Sequence, residues 1–87
     1  MLSNKVTVTS KTGLHARPAS IFVKEASKFK ADVFIDNGNK KVNAKSILNV
    51  LTMGIVNGTE IEISAIGEDA EEAVQKLTYF IENELGE

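Results

Sequence analysis

The sequence predicts an α+β fold with the element order βαββαβα. Three observations carry that reading. Lys5-Val6-Thr7-Val8-Thr9 and Thr59-Glu60-Ile61-Glu62-Ile63-Ser64-Ala65 alternate polar and apolar residues, as half-buried strands do. Ala19, Phe22, Val23, Ala26 and Phe29 repeat at the i, i+3, i+4, i+7 spacing of a helix with one buried stripe. Asn37-Gly38 and Asn57-Gly58 mark turns between apolar runs. One wet and one buried face per strand implies an antiparallel sheet with all helices on one side. The 87 residues bound the answer to a single small domain, 1–87, with one two-layer core.

Taken in order, Lys5–Thr9 is the first strand and Ser10-Lys11-Thr12-Gly13 the loop out of it. The first helix is expected from about Ala16 to Lys28, with Lys24, Ser27 and Lys28 away from the buried stripe. Ile21 breaks the pattern, because at about 100° per residue it points to the polar side. Ala31–Asp36 is the second strand, Val33 and Ile35 sharing one face, and Asn37-Gly38 predicts a type I′ hairpin. Lys40–Asn43 returns as a short third strand whose lysines suit a protected edge. Ser46 caps a short helix through Met53, ended by Gly54; Ile47, Val50 and Leu51 take core spacing and Leu48 stays outside. The fourth strand follows at Thr59–Ala65. The last helix opens with Asp69-Ala70-Glu71-Glu72, a capping-box pattern, and buries Ala70, Ala73, Val74, Leu77, Phe80 and Ile81.

Composition narrows the function classes. There is no cysteine, which removes disulfide scaffolds and thiolate metal sites and fits a reducing cytosol. The first residues, Met1-Leu2-Ser3-Asn4-Lys5-Val6, lack the apolar run of a signal peptide, and no later stretch is apolar enough for membrane insertion. A formal net charge of −2, with no exposed aromatics expected on the strands, argues against direct nucleic-acid binding. The expectation is a cytoplasmic protein. One histidine without cysteine makes no metal site, and no cofactor is expected.

The chemistry concentrates in Thr12-Gly13-Leu14-His15-Ala16-Arg17-Pro18-Ala19, which holds the only histidine and the only proline. Imidazole can offer a free lone pair at neutral pH. With His15 capping the helix, the first N–H groups behind it have no helical partner and face whatever sits on the ring. The positive end of the helix disfavours imidazolium, keeping the ring a nucleophile, and then favours a bound dianion. Pro18 falls in the first turn, where its missing N–H costs nothing. Arg17 stands beside the ring as a charge neutraliser, and Thr12 can add a hydroxyl. This constellation suits a histidine that briefly carries a phosphoryl group. Read blandly, His15 is a helix cap, Arg17 a solvated charge and Thr12 a loop residue.

Gly13-Leu14-His15-Ala16-Arg17-Pro18-Ala19 resembles the active-site signature of the histidine-containing phosphocarrier (HPr) family of the bacterial sugar phosphotransferase system. Val42-Asn43-Ala44-Lys45-Ser46-Ile47-Leu48 resembles the regulatory serine site of that family at the expected distance, and the chain has the family's length. The resemblance implies an open-faced sandwich with strand order 1-4-2-3. It implies that His15 is phosphorylated on Nδ1 by phosphoenolpyruvate-charged Enzyme I and passes the group to Enzyme II A-type proteins. Arg17 would act with His15, the phosphate held by Thr12, Ala16 and Arg17. Such a protein is a carrier, modified and regenerated, and not an enzyme.

Ser46 carries two readings. A serine N-cap needs no further reason. The resemblance adds phosphorylation by an ATP-dependent HPr kinase/phosphorylase, after which the protein would serve as corepressor for a catabolite-control transcription regulator. A phosphate there would suit the helix dipole and set about two negative charges on the docking face. That face is expected from Ile21, Lys24, Lys45, Ile47 and Leu48, an apolar patch with basic rims that suits brief encounters of a monomer. Leu48 and Leu51 stand where the Gram-positive branch usually has Met, and Asn49 where it has Gly; less adaptable Leu48 narrows partner choice. The competing reading is a regulatory binding module in which the Ser46 state matters and His15 is secondary. His15 together with Arg17 and Pro18 favours the carrier.

Overall fold

A computed structural model of the chain describes residues 2–9, 13, 14 and 16–84. The elements are β1 (Leu2–Thr7), α1 (Ala16–Ala26), β2 (Asp32–Asp36), β3 (Lys41–Asn43), α2 (Ile47–Leu51), β4 (Glu60–Ile66) and α3 (Ala70–Tyr79). A π-helical turn over Phe80–Glu84 continues α3. The strands form one antiparallel sheet in the order β1-β4-β2-β3. Register decides which face is covered. Val6 opposes Ile61, Ala65 opposes Val33, and Ile63 opposes Ile35, which opposes Val42. All seven are buried, so a single apolar face carries the helices. Phe22 of α1 meets Phe80 behind α3, ring centroids 6.1 Å apart, and closes the second layer.

The expected architecture is therefore the observed one, with corrections at element ends. β1 begins at Leu2 and stops at Thr7, although Val8 still donates to the Thr59 carbonyl at 2.9 Å. Leu2-Ser3-Asn4 has too little alternation to announce a strand; pairing with β4 recruits it. α1 stops at Ala26, not Lys28. Beyond Ser27 the bonds tighten to i→i−3, Lys28 N–H reaching Glu25 and Phe29 N–H reaching Ala26. β2 and β3 each start one residue later than expected, at Asp32 and Lys41.

The β2–β3 hairpin is not type I′. Asn37 N–H donates to Lys40 O at 3.1 Å, so Gly38 and Asn39 are the central residues. Only Gly38 has positive φ (98°), whereas type I′ needs two such residues. Asn37 instead accepts from Asn39 N–H (3.0 Å) and Lys40 N–H (2.9 Å) through Oδ1.

The capping box at Asp69 is also absent. Asp69 is the N-cap of α3 by position but makes no side-chain cap bond. Its carboxylate accepts Lys30 N–H at 2.9 Å and Ala31 N–H at 2.8 Å, tying the start of α3 to the α1–β2 connection. The Lys30 N–H above all, then those of Ala31 and Asp69 itself and the Lys45 charge, lower the Asp69 pKa against the opposing effect of desolvation.

On the open face of the sheet, Phe34 is half-buried with Lys41 Nζ 5.3 Å from its ring centroid. The strands thus do carry one partly exposed aromatic, engaged by a lysine rather than offered to a base.

Candidate functional site

The site is built where the residues ahead of α1 meet the connection leaving α2. Gly13 has φ +65°, and a Cβ there would overlap the Ile55 carbonyl oxygen and come within 2.6 Å of Val56 Cα. Only a glycine lets the two backbones approach this closely. Leu14 then donates its N–H to Ile55 O at 3.0 Å and buries its side chain. α1 starts at Ala16, so its free N–H groups lie directly behind position 15 in sequence. Pro18 sits in the first turn, half-buried, and Arg17 is exposed beside it. Arg17 makes no ion pair with another described residue. His15 and Thr12 lie outside the described residues.

Ser46 is the N-cap of α2, extended at φ −108° and ψ 111°, with Oγ accepting Asn49 N–H at 3.3 Å. The helix is five residues long and not the expected run to Met53, because Met53 and Gly54 N–H turn back to Val50 and Leu51 in i→i−3 bonds. This shortness corrects the expected core as well. With Val50 pointing straight inward, Ile47 lies about 60°, Leu51 about 100° and Leu48 about 160° around the axis. Exposure follows that angle: Val50 is buried, Ile47 and Leu51 are each 38% exposed, and Leu48 is 68% exposed. Ile47 and Leu51 are therefore surface residues.

α1 and α2 pack against each other, and Ile21 (45% exposed) and Lys24 lie at the surface of α1. Lys45 does not join them as a free rim charge. It is half-buried, its Nζ donating to the Phe29 carbonyl at 2.7 Å, where it ties the α1–β2 connection to the β3–α2 connection. Sequence reasoning missed Val56, 59% exposed and adjacent to Gly13. A valine two residues past Gly54 in no periodic pattern carried no signal of this. Among the described residues there is no group of three or more metal-ligating side chains, and no helix is long and apolar enough to cross a membrane.

Comparison with known proteins agrees with this geometry. The family model described as the PTS HPr component phosphorylation site matches residues 2–83. The HPr-like protein Crh of Bacillus subtilis is 47% identical over 85 residues, covering 98% of this chain and all of that protein. A solved structure of Crh, described as an intertwined dimer with a swapping domain, superposes with TM-score 0.77 at 98% coverage of both chains. The phosphocarrier protein HPr of Mycoplasma capricolum is 53% identical over 70 residues, covering 80% of this chain and 79% of that protein. The HPr-C-His structure from Thermoanaerobacter tengcongensis reaches TM-score 0.95 at 45% identity, covering 100% and 98% of the two chains. Sheet order, helix placement, and a family match spanning both the histidine and the serine segments lead to one assignment: the chain belongs to the HPr family of the phosphotransferase system.

Proposed function

We propose that the chain is a phosphoryl carrier whose His15 Nδ1 accepts the group from phosphoenolpyruvate-charged Enzyme I and yields it to Enzyme II A-type proteins. The observation that carries this reading is the start of α1 at Ala16, immediately after His15, in a segment held by Leu14 on the Ile55 carbonyl. The Ala16 and Arg17 N–H groups and the Arg17 guanidinium supply positive potential to a phosphate at that point, and a Thr12 hydroxyl adds a further contact. Phosphoryl transfer passes through a loose transition state, so positioning and charge neutralisation provide most of the rate. Ile21, Lys24, Ile47 and Leu48, extended by Leu51 and Val56, form the docking face shared by successive partners. In this reading the 1–87 chain acts as one domain and as a cytoplasmic monomer; it is regenerated in each cycle and turns over no substrate of its own.

A second reading is favoured by the full-length likeness to Crh, the catabolite repression HPr of B. subtilis, and by the half-buried Ser46 at the α2 cap. Ser46 phosphorylated by an HPr kinase/phosphorylase would turn the chain into a corepressor of a catabolite-control transcription regulator. Incubation with phosphoenolpyruvate and Enzyme I separates the two. An acid-labile, alkali-stable phosphate that vanishes in His15→Ala supports the carrier. No transfer, with ATP-dependent labelling of Ser46 by the kinase, supports the regulatory module.

A further inference from the structure

Residues 55–59 hold both described flanks of the segment leading into His15. On the strand side, Val8 N–H donates to Thr59 O at 2.9 Å and Gly58 N–H to Val8 O at 2.7 Å. On the helix side, Leu14 N–H donates to Ile55 O at 3.0 Å. These ties are backbone to backbone, and most side chains would leave them intact. One tie is not. Asn57 Nδ2 donates to the Thr9 carbonyl at 3.2 Å, across 48 positions of sequence.

Nothing in the turn itself requires that amide. The Val56–Thr59 turn is closed by Thr59 N–H on Val56 O (3.1 Å) and Val56 N–H on Thr59 Oγ1 (3.2 Å). Asn57 is exposed, contributes nothing to the core, and is the only side chain in 55–59 that bonds a described residue of the flanks. β1 ends at Thr7 and Val8 makes two further backbone bonds to residues 58 and 59, so the Thr9 carbonyl lies one residue beyond that ladder. A donor there anchors the chain six positions ahead of His15.

We propose that Asn57 is a positioning residue for phosphoryl transfer at His15, acting through the Thr9 carbonyl. The proposal rests on the carrier reading above. It follows from the nature of the reaction, in which rate depends on holding donor and acceptor in line and small misplacements are expensive. A positioning role predicts a slower transfer step with partner affinity unchanged.

The test uses the full chain with phosphoenolpyruvate and Enzyme I, measuring initial transfer rates against carrier concentration for wild type, Asn57→Asp, Asn57→Ala and Asn57→Gln. Asp keeps the shape but lacks the donor; Ala lacks donor and charge; Gln retains an amide. Loss of one such hydrogen bond corresponds to about a five-fold fall in kcat for Asp and Ala, with KM unchanged, and recovery in Gln. Melting curves alongside register any loss of fold, which Gln and Ala would not share with the kinetic pattern. Equal kcat in all four proteins overturns the proposal, as does a rise in KM alone, which would make Asn57 a docking residue. Absence of transfer to wild type overturns the carrier reading and this proposal with it, whereas transfer to wild type without an Asn57 effect removes this proposal alone.

Discussion

Gly13→Ala tests whether the approach of the histidine segment to residues 55 and 56 is as tight as the geometry requires. Gly13 and Gly54 share φ +65°, yet a Cβ at Gly54 meets nothing within 4 Å, while one at Gly13 meets the Ile55 carbonyl and Val56 Cα. The pair therefore separates backbone conformation from packing. Left-handed φ costs an alanine about 1–2 kcal/mol, and the stiffer unfolded chain returns about 0.4–1 kcal/mol. Gly54→Ala should lose no more than the difference. Gly13→Ala adds an overlap with backbone atoms that no side-chain rotation relieves, an overpacking cost of about 1–3 kcal/mol. The excess corresponds to a melting temperature at least about 4 °C below that of Gly54→Ala, since a domain of this size shifts by about 4–8 °C per kcal/mol. Urea and thermal unfolding followed by far-ultraviolet circular dichroism measure both. Phosphoryl acceptance from Enzyme I should fall in Gly13→Ala at temperatures where it is fully folded. Equal destabilisation of the two variants would refute the close approach and, with it, the argument that Ile55 templates the histidine segment.

Other outcomes follow from the same structure. Arg17→Ala should slow transfer from Enzyme I by about ten-fold or more, a loss of roughly 1.4 kcal/mol of transition-state stabilisation, while melting as the wild type does because Arg17 is exposed; matched transfer rates would remove its role. Leu48→Asp, at a residue 68% exposed, should leave stability within about 0.5 kcal/mol and raise KM for Enzyme I severalfold in steady-state assays. Asp69 has its folded-state pKa lowered, chiefly by Lys30 N–H, so the unfolded chain binds the proton more readily. Its stabilisation is full above the unfolded pKa, about pH 4, and is lost as pH falls through the lowered folded value. Denaturation of wild type and Asp69→Asn across acidic pH should therefore show two stabilities that converge on acidification; a gap independent of pH would contradict the assignment.

The fold was legible in the sequence where a pattern repeats and illegible where a tertiary partner overrides one. The apolar stripe of α3 survives unchanged, and the fourth strand is found one residue later than expected, at Glu60–Ile66, with Ile61, Ile63 and Ala65 buried as alternation requires but Ser64 buried beside them, because each pattern is long enough for its period to show. Asn37-Gly38 correctly announced a hairpin, but not its frame. The Asn37 side chain bonds Asn39 and Lys40, moving Asn37 to the flank of the turn and leaving Gly38 as the one residue of that turn with positive φ. Asp69 likewise matched a local capping pattern and lost it to two N–H groups nearly forty residues away, a competition no short window can display.

At the candidate site, residue type was legible and company was not. His15, Arg17, Thr12 and Pro18 could be singled out because a lone histidine with a guanidinium, a hydroxyl and a first-turn proline is unusual in so short a stretch. Lys45 was read as a rim charge since a lysine beside an apolar patch normally stays in water, yet the Phe29 carbonyl, in the connection just beyond α1, draws it inward. Ile47 and Leu51 were read as core because helical spacing assumes a helix long enough to have two faces; a five-residue helix has one inward position, and Val50 takes it. The consequence is functional. Apolar side chains that the core cannot accommodate are left on the side of α2 that faces away from the sheet, close in sequence to Ser46. Under the proposed carrier role, such a surface would serve successive partners, and the shortness of α2 is what leaves it exposed.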